Sequence, residues 1–290
     1  MNYTQVNLDL QSVIKRAYDN LLYRSSFMNF LNSAYLGEIR QAGAPRLEVI
    51  KQNATATTVA NKTPVIATAI APNLAQYESV SVDLAELRLN YSFRVPSLVT
   101  EAGIANIIDG QKALQDADNA KEIDEYGFDK MHKAVQAQTT PQTFTWNATT
   151  MATSQDYIEA LNTMKATLFN NNVYDGYKLG LKATEYANLV SNITSLLHYE
   201  TMAGVEGVDR GDIARAYGID IFPINSNVLK NSEVGYFASE VGTVGDAYFS
   251  QFNEFPGDYP GFPGDYVVEG TILFGAEVVR PEAVIEIVAK

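Results

Sequence analysis

Cysteine is absent from this chain of 290 residues. Its absence excludes disulfide bridges, thiolate nucleophiles, zinc sites built from thiolates and iron–sulfur clusters. The hydrophobic content of 46% is normal for a folded globular protein. We therefore expect a fold that noncovalent packing alone stabilises.

Histidine is almost as scarce, with two residues, His132 and His198. A Ser-His-Asp triad would have to use one of them, yet His132 lies in a charged helical stretch and His198 follows two leucines. We interpret each as a surface imidazole or a satisfied, partly buried one. Phosphate-loop, G-x-G-x-x-G, H-E-x-x-H and G-x-S-x-G motifs are also absent. The sequence predicts no catalytic, cofactor-binding or metal-binding residue, and therefore a structural protein and not an enzyme.

Basic residues number 21 against 34 acidic ones, and the formal net charge is −13. This balance argues against binding nucleic acid through a broad basic surface. The acidic residues are unevenly placed. Residues 231–290 contain ten carboxylates and two basic side chains, whereas residues 1–44 contain four basic and three acidic ones. The asymmetry permits head-to-tail attraction between copies of the chain.

Targeting and membrane signals are missing as well. The N-terminus has neither the basic start nor the apolar core of a signal peptide, and no apolar run approaches membrane-spanning length. We therefore expect the chain to fold in a cytoplasm and to make no membrane contact.

Residues 47–96 are the most informative part of what is present. Apolar and polar residues alternate over 80–84 and again, in the opposite phase, over 87–95. A one-residue slip near Ala85 and Glu86 predicts a β-bulge within one long, bent strand.

The residues before this strand, 54–75, are mostly Ala, Thr and Asn with scattered Val and Ile and no aromatic side chain. Such a segment cannot bury a core of its own. It either packs on its own domain or lies across another copy of the protein, and the remaining alternative is a disordered surface loop.

Helical periodicity over residues 111–138 predicts a long helix with small and apolar side chains on one face. The opposite, charged face, which includes Asp116 and Asp124, is predicted to be solvated.

Strands and helices then alternate after a capping-box start at Thr153 and Asp156, which predicts an α/β or α+β unit. Phe169 belongs to the predicted apolar face of its first helix. The C-terminal residues predict strands that break at Gly275 and Pro281 and return to the first part of the molecule.

This order of elements resembles that of the major capsid proteins of tailed bacteriophages, which have the Hong-Kong-97-type capsid fold. The resemblance covers residues 44–290 and depends on a combined pattern rather than on one invariant motif. The stretches that carry it are YSFRVPSLVTEAG, YKLGLKATEYANLV, GVDRGDIARAYGIDIFPINSN and GTILFGAEVVRPEAVIEIV.

The resemblance implies an α+β fold with four parts. These are an N-terminal arm at 1–45, an extended loop built on a long β-hairpin at 46–96, a peripheral domain at 97–153 and 254–290 with its spine helix at 111–138, and an α/β axial domain at 154–253.

The function implied is that of a major capsid protein that assembles into an icosahedral shell around double-stranded DNA. Its partners would be further copies in hexamers and pentamers, a separate scaffolding protein and a portal protein, with DNA enclosed without sequence-specific binding. Its location would be the virion, after assembly in the host bacterial cytoplasm. The alternatives are an encapsulin-like nanocompartment shell protein, another virion component such as a tail protein, and, third, an enzyme.

One stretch repeats, FPGDYPGFPGDY at residues 255–266. Its prolines restrict the backbone and its glycines permit tight turns, which predicts a stiff loop with aromatic side chains. The resemblance places it where copies of the chain meet. A packed surface turn within one subunit is an equal alternative, and a cation at Asp258 and Asp265 a weaker third.

The predicted intersubunit contacts combine this loop with the extended loop, where Lys51 and Lys62 could also serve a covalent crosslink of the kind some relatives form. The residues are Lys51, Val59, Lys62, Val65, Ile66, Tyr259 and Phe262.

Overall fold

The computed structural model describes most of the chain from residue 105 onward and several segments before it. The described residues are 25–32, 46–53, 76–83, 85–96, 105–147, 151, 153–200, 214–230 and 232–290. Most of the predicted N-terminal arm and the predicted contact residues Val59, Lys62, Val65 and Ile66 lie outside these ranges.

Three α-helices and eleven strands are present in the described residues. The helices are α1 (Ala105–Gln136), α2 (Ser154–Asn170) and α3 (Ala183–Glu200). The strands are β1 (Arg46–Asn53), β2 (Gln76–Asp83), β3 (Leu87–Val95), β4 (Thr143–Trp146), β5 (Tyr177–Lys182), β6 (Ala214–Ala216), β7 (Ile219–Ile224), β8 (Glu233–Ser239), β9 (Thr243–Pro256), β10 (Tyr266–Val278) and β11 (Val284–Ala289). Of the described helices, none has the length and apolar character needed to cross a membrane.

The long helix α1 confirms the predicted helix at 111–138, with a start six residues earlier and an end two residues earlier. Gly110 lies inside it, at an exposed position that tolerates glycine. At the C-terminal end of α1, the Gln138 amide donates to the carbonyl of Val135, three residues earlier, so the helix is followed by a tighter turn of the 3-10 type. Its buried stripe follows helical spacing and consists of Ala120, Ile123, Phe128, Met131 and Val135.

The sequence predicted a solvated charged face for α1, but part of this face is buried. Asp116 and Asp124 are 2% and 3% exposed. Asp124 accepts hydrogen bonds from the Ser25 hydroxyl at 2.6 Å and from the backbone amide of Phe27 at 2.9 Å. The carboxylate therefore fixes a short 3-10 turn, Phe27–Phe30, against the helix.

The strands form three sheets. β1 pairs with β2, β3–β10–β9 form a three-stranded antiparallel sheet, and β4–β11–β8–β5–β7–β6 form a mixed six-stranded sheet. The six-stranded sheet contains β4 and β11 beside β5 to β8, so it joins segments that the sequence analysis assigned to the peripheral and to the axial domain. The division of the chain into those domains remains a prediction.

The predicted single bent strand is wrong, because β2 and β3 belong to different sheets. A turn separates them: the Glu86 amide donates to the Asp83 carbonyl, and the Ala85 amide donates to the Asp83 carboxylate at 2.9 Å. The phase slip was located correctly, but an Asp-stabilised turn causes it instead of a β-bulge.

The predicted break at Gly275 is also wrong, since β10 runs through it and pairs Gly275 with Asp246. The backbones approach closely here: a side chain at the neighbouring Gly245 would lie 2.6 Å from the Gly275 carbonyl oxygen. The predicted break at Pro281 is confirmed. β10 ends at Val278, and a 3-10 turn, Pro281–Ala283, separates it from β11. β10 returns to the three-stranded sheet as predicted, whereas β11 joins the six-stranded one.

Two large cores support this architecture. One lies between α1, the 3-10 turn at Phe27–Phe30 and the three-stranded sheet, with Phe27 packed edge-on against Phe128 at 5.6 Å and against Phe274 at 6.2 Å. The other lies on the six-stranded sheet beneath α2 and includes Trp146 and Leu161. The capping box at Thr153 and Asp156 is confirmed at the start of α2.

Candidate intersubunit contact surfaces

The repeated stretch forms the loop of the β9–β10 hairpin. Pro256 lies opposite Tyr266 at the end of the ladder, and hydrogen bonds continue into the loop itself. The Gly257 amide donates to the Asp265 carbonyl at 3.0 Å, and the Gly264 amide donates to the Gly257 carbonyl at 2.9 Å. The predicted loop is therefore present and internally bonded.

Three of its residues have a backbone conformation that favours glycine. Gly257, Gly261 and Gly264 have φ angles of +87°, +100° and +88°. At Gly261 no atom lies within 4 Å of an added Cβ, so the backbone angle alone constrains this position. The alternation of proline and positive-φ glycine explains how the loop turns repeatedly within ten residues.

The aromatic side chains of the loop pack on one another. The Phe255 and Tyr259 ring centroids are 5.2 Å apart with an edge-on orientation, and those of Tyr259 and Phe262 are 6.2 Å apart and nearly parallel. The Tyr259 hydroxyl donates a hydrogen bond to the carboxylate of Glu269 on β10. That hydrogen bond to a carboxylate raises the pKa of Tyr259 above its usual value.

Arg94, at the end of β3, binds the loop from the neighbouring strand. Its guanidinium carbon lies 4.1 Å from the centre of the Phe262 ring, and its Nε lies 3.3 Å from the Asp265 carboxylate. Phe262 nevertheless remains 44% exposed. The cation expected as a weaker alternative at Asp258 and Asp265 is disfavoured, because Arg94 already supplies positive charge to Asp265.

The two predicted contact residues of the loop thus lie together but differ in their surroundings. Tyr259 is engaged within its own chain, as the alternative of a packed surface turn expects, whereas Phe262 presents a large part of its ring to solvent. Sequence reasoning missed Arg94, which is far from the loop in sequence and reaches it through the pairing of β3 with β10. It also missed Glu269, which lies three residues beyond the loop on β10 and meets Tyr259 because the loop folds back.

The base of the predicted extended loop is the β1–β2 ladder. Eight residue pairs run from Arg46 opposite Asp83 to Asn53 opposite Gln76, and the predicted contact residue Lys51 lies opposite Glu78.

We name this ladder the arm base. It packs against β9 of the three-stranded sheet and against the residue that follows β10. Val49 and Val82 of the arm base are 3% and 1% exposed and share a small core with Val244 and Val279. The arm base is therefore fixed to the body of the molecule, and residues 54–75 connect its two strands.

Two further apolar surfaces were not identified from the sequence. Phe169, predicted to face a core, is 56% exposed, because α2 reaches its C-terminal end there. Its ring packs edge-on against the 58% exposed ring of Tyr174 at 4.9 Å. Leu114 on α1 is 61% exposed. Phe169 and Tyr174 form a small exposed apolar patch, whereas a single exposed leucine is ordinary on a protein surface.

Comparison with known proteins finds a likeness in structure only. No protein-family profile matches the chain, and no curated protein sequence matches it. A chain of the capsid of Ralstonia phage GP4 superposes with a TM-score of 0.59 at 12% identity, and the match covers 85% of this chain and 84% of that one.

Two more solved phage structures give similar results. A chain of Mycobacterium phage Che8 superposes with a TM-score of 0.56 at 14% identity over 91% of this chain and 90% of that one. A chain of the capsid of the cyanophage P-SCSP1u superposes with a TM-score of 0.55 at 15% identity over 85% and 84%. The chain therefore has the Hong-Kong-97-type capsid fold that its sequence resembles.

Proposed function

We propose that this chain is the major capsid protein of a tailed double-stranded-DNA bacteriophage. Copies assemble into an icosahedral shell, and the location of the protein is the virion. The observation that carries the proposal is the fold match over 85% of the chain to a protein of the Ralstonia phage GP4 capsid, together with an arm base whose two strands are joined by residues 54–75.

The arm base supports the proposal through its construction. Four valines attach it to the body, while residues 54–75 have a composition that cannot form a core of their own. In a shell, such a segment gains its apolar partners from a neighbouring subunit. Association through many noncovalent contacts also agrees with the lack of cysteine.

The charge of the chain supports enclosure of DNA instead of tight binding to it. A net charge of −13 repels a phosphate backbone, so a genome can be packed without adhering to the wall. We include in the proposal a separate scaffolding protein, a portal protein, assembly in the host bacterial cytoplasm and a role without catalysis.

An arm-deleted variant tests the role of the extended loop. Asn53 lies opposite Gln76, so residues 54–75 can be replaced by Asn-Gly, which closes a two-residue hairpin and leaves the arm base intact. We expect the wild-type chain to sediment as rings or shells of many subunits and the variant to sediment as single subunits. Analytical ultracentrifugation and negative-stain electron microscopy measure both.

The matched control replaces residues 54–75 by a Gly-Ser linker of the same length, which keeps the reach and removes the side chains. If the arm acts through its contacts, the linker variant also stays unassembled. Assembly of the arm-deleted variant into the same particles as the wild type would contradict the proposed role of residues 54–75. Shells that enclose proteins and no nuclease-protected DNA would favour the encapsulin-like alternative.

The exposed ring of Phe262 is proposed to contact a neighbouring subunit. Phe262→Ser removes the contacts of the ring with Tyr259 and Arg94, so it should lower the unfolding free energy of the subunit by about 1–2 kcal/mol. If the ring is buried at an interface, the concentration needed for assembly should rise by about tenfold or more. Tyr259→Phe is the control, since it keeps the ring and removes only the hydrogen bond to Glu269. Unchanged assembly of the Phe262 variant would support the packed surface turn.

A further inference from the structure

We propose that His132, Glu233 and Glu286 form a binding site for a divalent transition-metal cation, with Zn²⁺ as the preferred ion. The three side chains come from α1, from the start of β8 and from β11. One ligand atom of each lies within 4.8 Å of the other two. The inference goes beyond the proposed function and does not depend on it, and it departs from the sequence-based expectation of no metal-binding residue.

The distances within the cluster fit a small cation. The His132 Nδ1 atom lies 3.0 Å from Glu233 Oε1 and 3.1 Å from Glu286 Oε1. Nitrogen and oxygen ligands lie about 2.0–2.2 Å from zinc, so two of them in a tetrahedral arrangement are about 3.3 Å apart. These two separations match those of a zinc site, whereas the two carboxylate oxygens lie within 4.8 Å of each other and would draw together around one ion.

The charge of the cluster requires compensation. Glu233 and Glu286 are 1% and 2% exposed, and within the described part of the chain no Lys or Arg nitrogen lies within 4.0 Å of either carboxylate. The nearby Lys133 and Lys230 both pair with Asp129. A buried carboxylate without a compensating charge is costly. When all three act as metal ligands, which requires a neutral imidazole, their charges sum to −2, and one divalent cation balances that charge.

One acceptor in the cluster has no donor. Glu233 Oε1 is buried and makes no hydrogen bond with the described residues. It is 3.0 Å from His132 Nδ1, but that nitrogen is directed at Glu286 Oε1 in a hydrogen bond. Since Nδ1 carries at most one proton, it cannot satisfy both carboxylates. The Tyr236 hydroxyl, the other donor near Glu233, donates to the Phe128 carbonyl at 3.4 Å, so Glu233 Oε1 is left without a donor in this arrangement.

The other oxygen of each carboxylate is held by a donor outside the cluster. The Lys230 backbone amide donates to Glu233 Oε2 at 2.9 Å, and the Gln136 side-chain amide donates to Glu286 Oε2 at 2.8 Å. Both glutamates thereby present Oε1 to His132. Outer hydrogen bonds of this kind orient the ligands of metal sites.

An irregularity in the sheet brings the two glutamates to the same face. Glu286 lies opposite Tyr236 in the β8–β11 ladder, and the Tyr236 hydroxyl donates to the Phe128 carbonyl of α1. The ladder then shifts between Ile287 and Val288, and Val288 pairs with Glu233. The extra residue in β8 reverses the strand's alternation, so Glu233 also faces α1.

The site is open to solvent on one side. The His132 side chain is 26% exposed, while both carboxylates are buried. Zinc sites with three protein ligands hold a water in the fourth position, and the exposed side provides room for it. A bound ion would join the long helix α1 to β8 and β11 of the six-stranded sheet.

Titration of the full-length chain with Zn²⁺ tests the inference. The protein is first freed of metal by a chelator, and isothermal titration calorimetry then measures affinity and stoichiometry. We expect one Zn²⁺ per chain, bound more tightly than Mn²⁺. Glu233→Gln and Glu286→Gln should each weaken binding by more than about 100-fold, because they remove ligands. Gln136→Ala, which removes only the outer hydrogen bond, should weaken it by about 10- to 100-fold.

The control variant is Glu254→Gln, the same chemical change at a carboxylate that pairs with Lys112; it should bind Zn²⁺ like the wild type. Circular dichroism verifies that each metal-free variant is folded. If the glutamate variants do not fold, two other measurements test the site: the Zn²⁺ affinity of the Gln136 variant and the visible absorption spectrum of Co²⁺ bound to the wild type. Absence of stoichiometric Zn²⁺ in the wild type, or unchanged affinity in the variants, would overturn the proposal.

Discussion

At the scale of single residues, Asp124 demonstrates how a buried charge connects distant parts of the chain. Its carboxylate accepts three hydrogen bonds from residues 25–27, almost a hundred positions earlier. Burial nevertheless outweighs these bonds and raises the pKa of Asp124 to about 6. The folded chain therefore binds this proton more tightly than the unfolded chain does.

The raised pKa predicts a dependence of stability on pH. Protonated Asp124 favours the folded state, so its contribution is complete below about pH 4 and is lost as the pH rises through about 6. In the variant Asp124→Asn this titration is absent. We expect the unfolding free energy of the wild type, relative to the variant, to fall by up to about 3 kcal/mol between pH 4 and pH 7. Urea unfolding of both proteins across this range measures the difference, and a constant difference would contradict the prediction.

Periodicity in the sequence could not place Asp124, because a charged residue on one side of an amphipathic helix is ordinarily solvated. The same holds for Glu233 and Glu286, which meet His132 only after the six-stranded sheet has formed. Such contacts depend on pairing between elements far apart in the chain. Single-sequence reasoning can identify the elements but not the side chains that they bring together.

At the scale of elements, the β9–β10 loop combines stiffness with an exposed ring. Hydrogen bonds between Gly257 and Asp265 and between Gly264 and Gly257 hold its two sides together. A stiff loop loses little conformational entropy when it is buried at an interface, which favours its use as a contact surface.

A pair of glycine substitutions tests the backbone argument. Gly261 and Gly110 both have no atom within 4 Å of an added Cβ, but Gly261 has a φ of +100° and Gly110 is inside α1. Gly261→Ala should lower the unfolding free energy by about 1–2 kcal/mol, because alanine resists positive φ.

Gly110→Ala is the matched control for this substitution. It should raise the unfolding free energy by about 0.5–1 kcal/mol, since alanine favours the helix. Urea unfolding measures both variants under one condition. Equal effects of the two substitutions would show that backbone conformation is not the cause.

Several elements were predictable because local pattern alone defines them. Helical spacing identified α1, and the capping residues Thr153 and Asp156 located the start of α2. The two errors, the bulge predicted near Ala85 and Glu86 and the break predicted at Gly275, concern where a strand ends. A phase change can accompany a bulge or a turn, and a glycine can end a strand or permit a close approach to another, so the sequence pattern is the same in both cases.

At the scale of the whole molecule, the fold is organised around α1. The helix packs on the three-stranded sheet through Tyr126, whose ring lies 5.8 Å from that of Phe274 on β10, and the Phe128 ring stacks on Tyr236 of the six-stranded sheet. It also reaches the six-stranded sheet, where the hydroxyl of Tyr236 donates to the Phe128 carbonyl. One continuous helix thus supports both sheets.

The order of arm, long helix, inserted α/β unit and returning strands was recognisable from the sequence as a combination, although sequence comparison finds no match. Identities of 12–15% to the structural neighbours explain this, because few individual positions are shared while the arrangement of elements is. The predicted contacts Val59, Lys62, Val65 and Ile66 lie outside the described residues and remain predictions.

The central claim is that copies of this chain close into an icosahedral shell, and cryo-electron microscopy of the chain co-expressed with its neighbouring genes tests it most directly. We predict closed shells built of hexamers and pentamers, with Phe262 within contact distance of another subunit. Uniform compact monomers under these conditions, or a tail-like assembly, would contradict the claim.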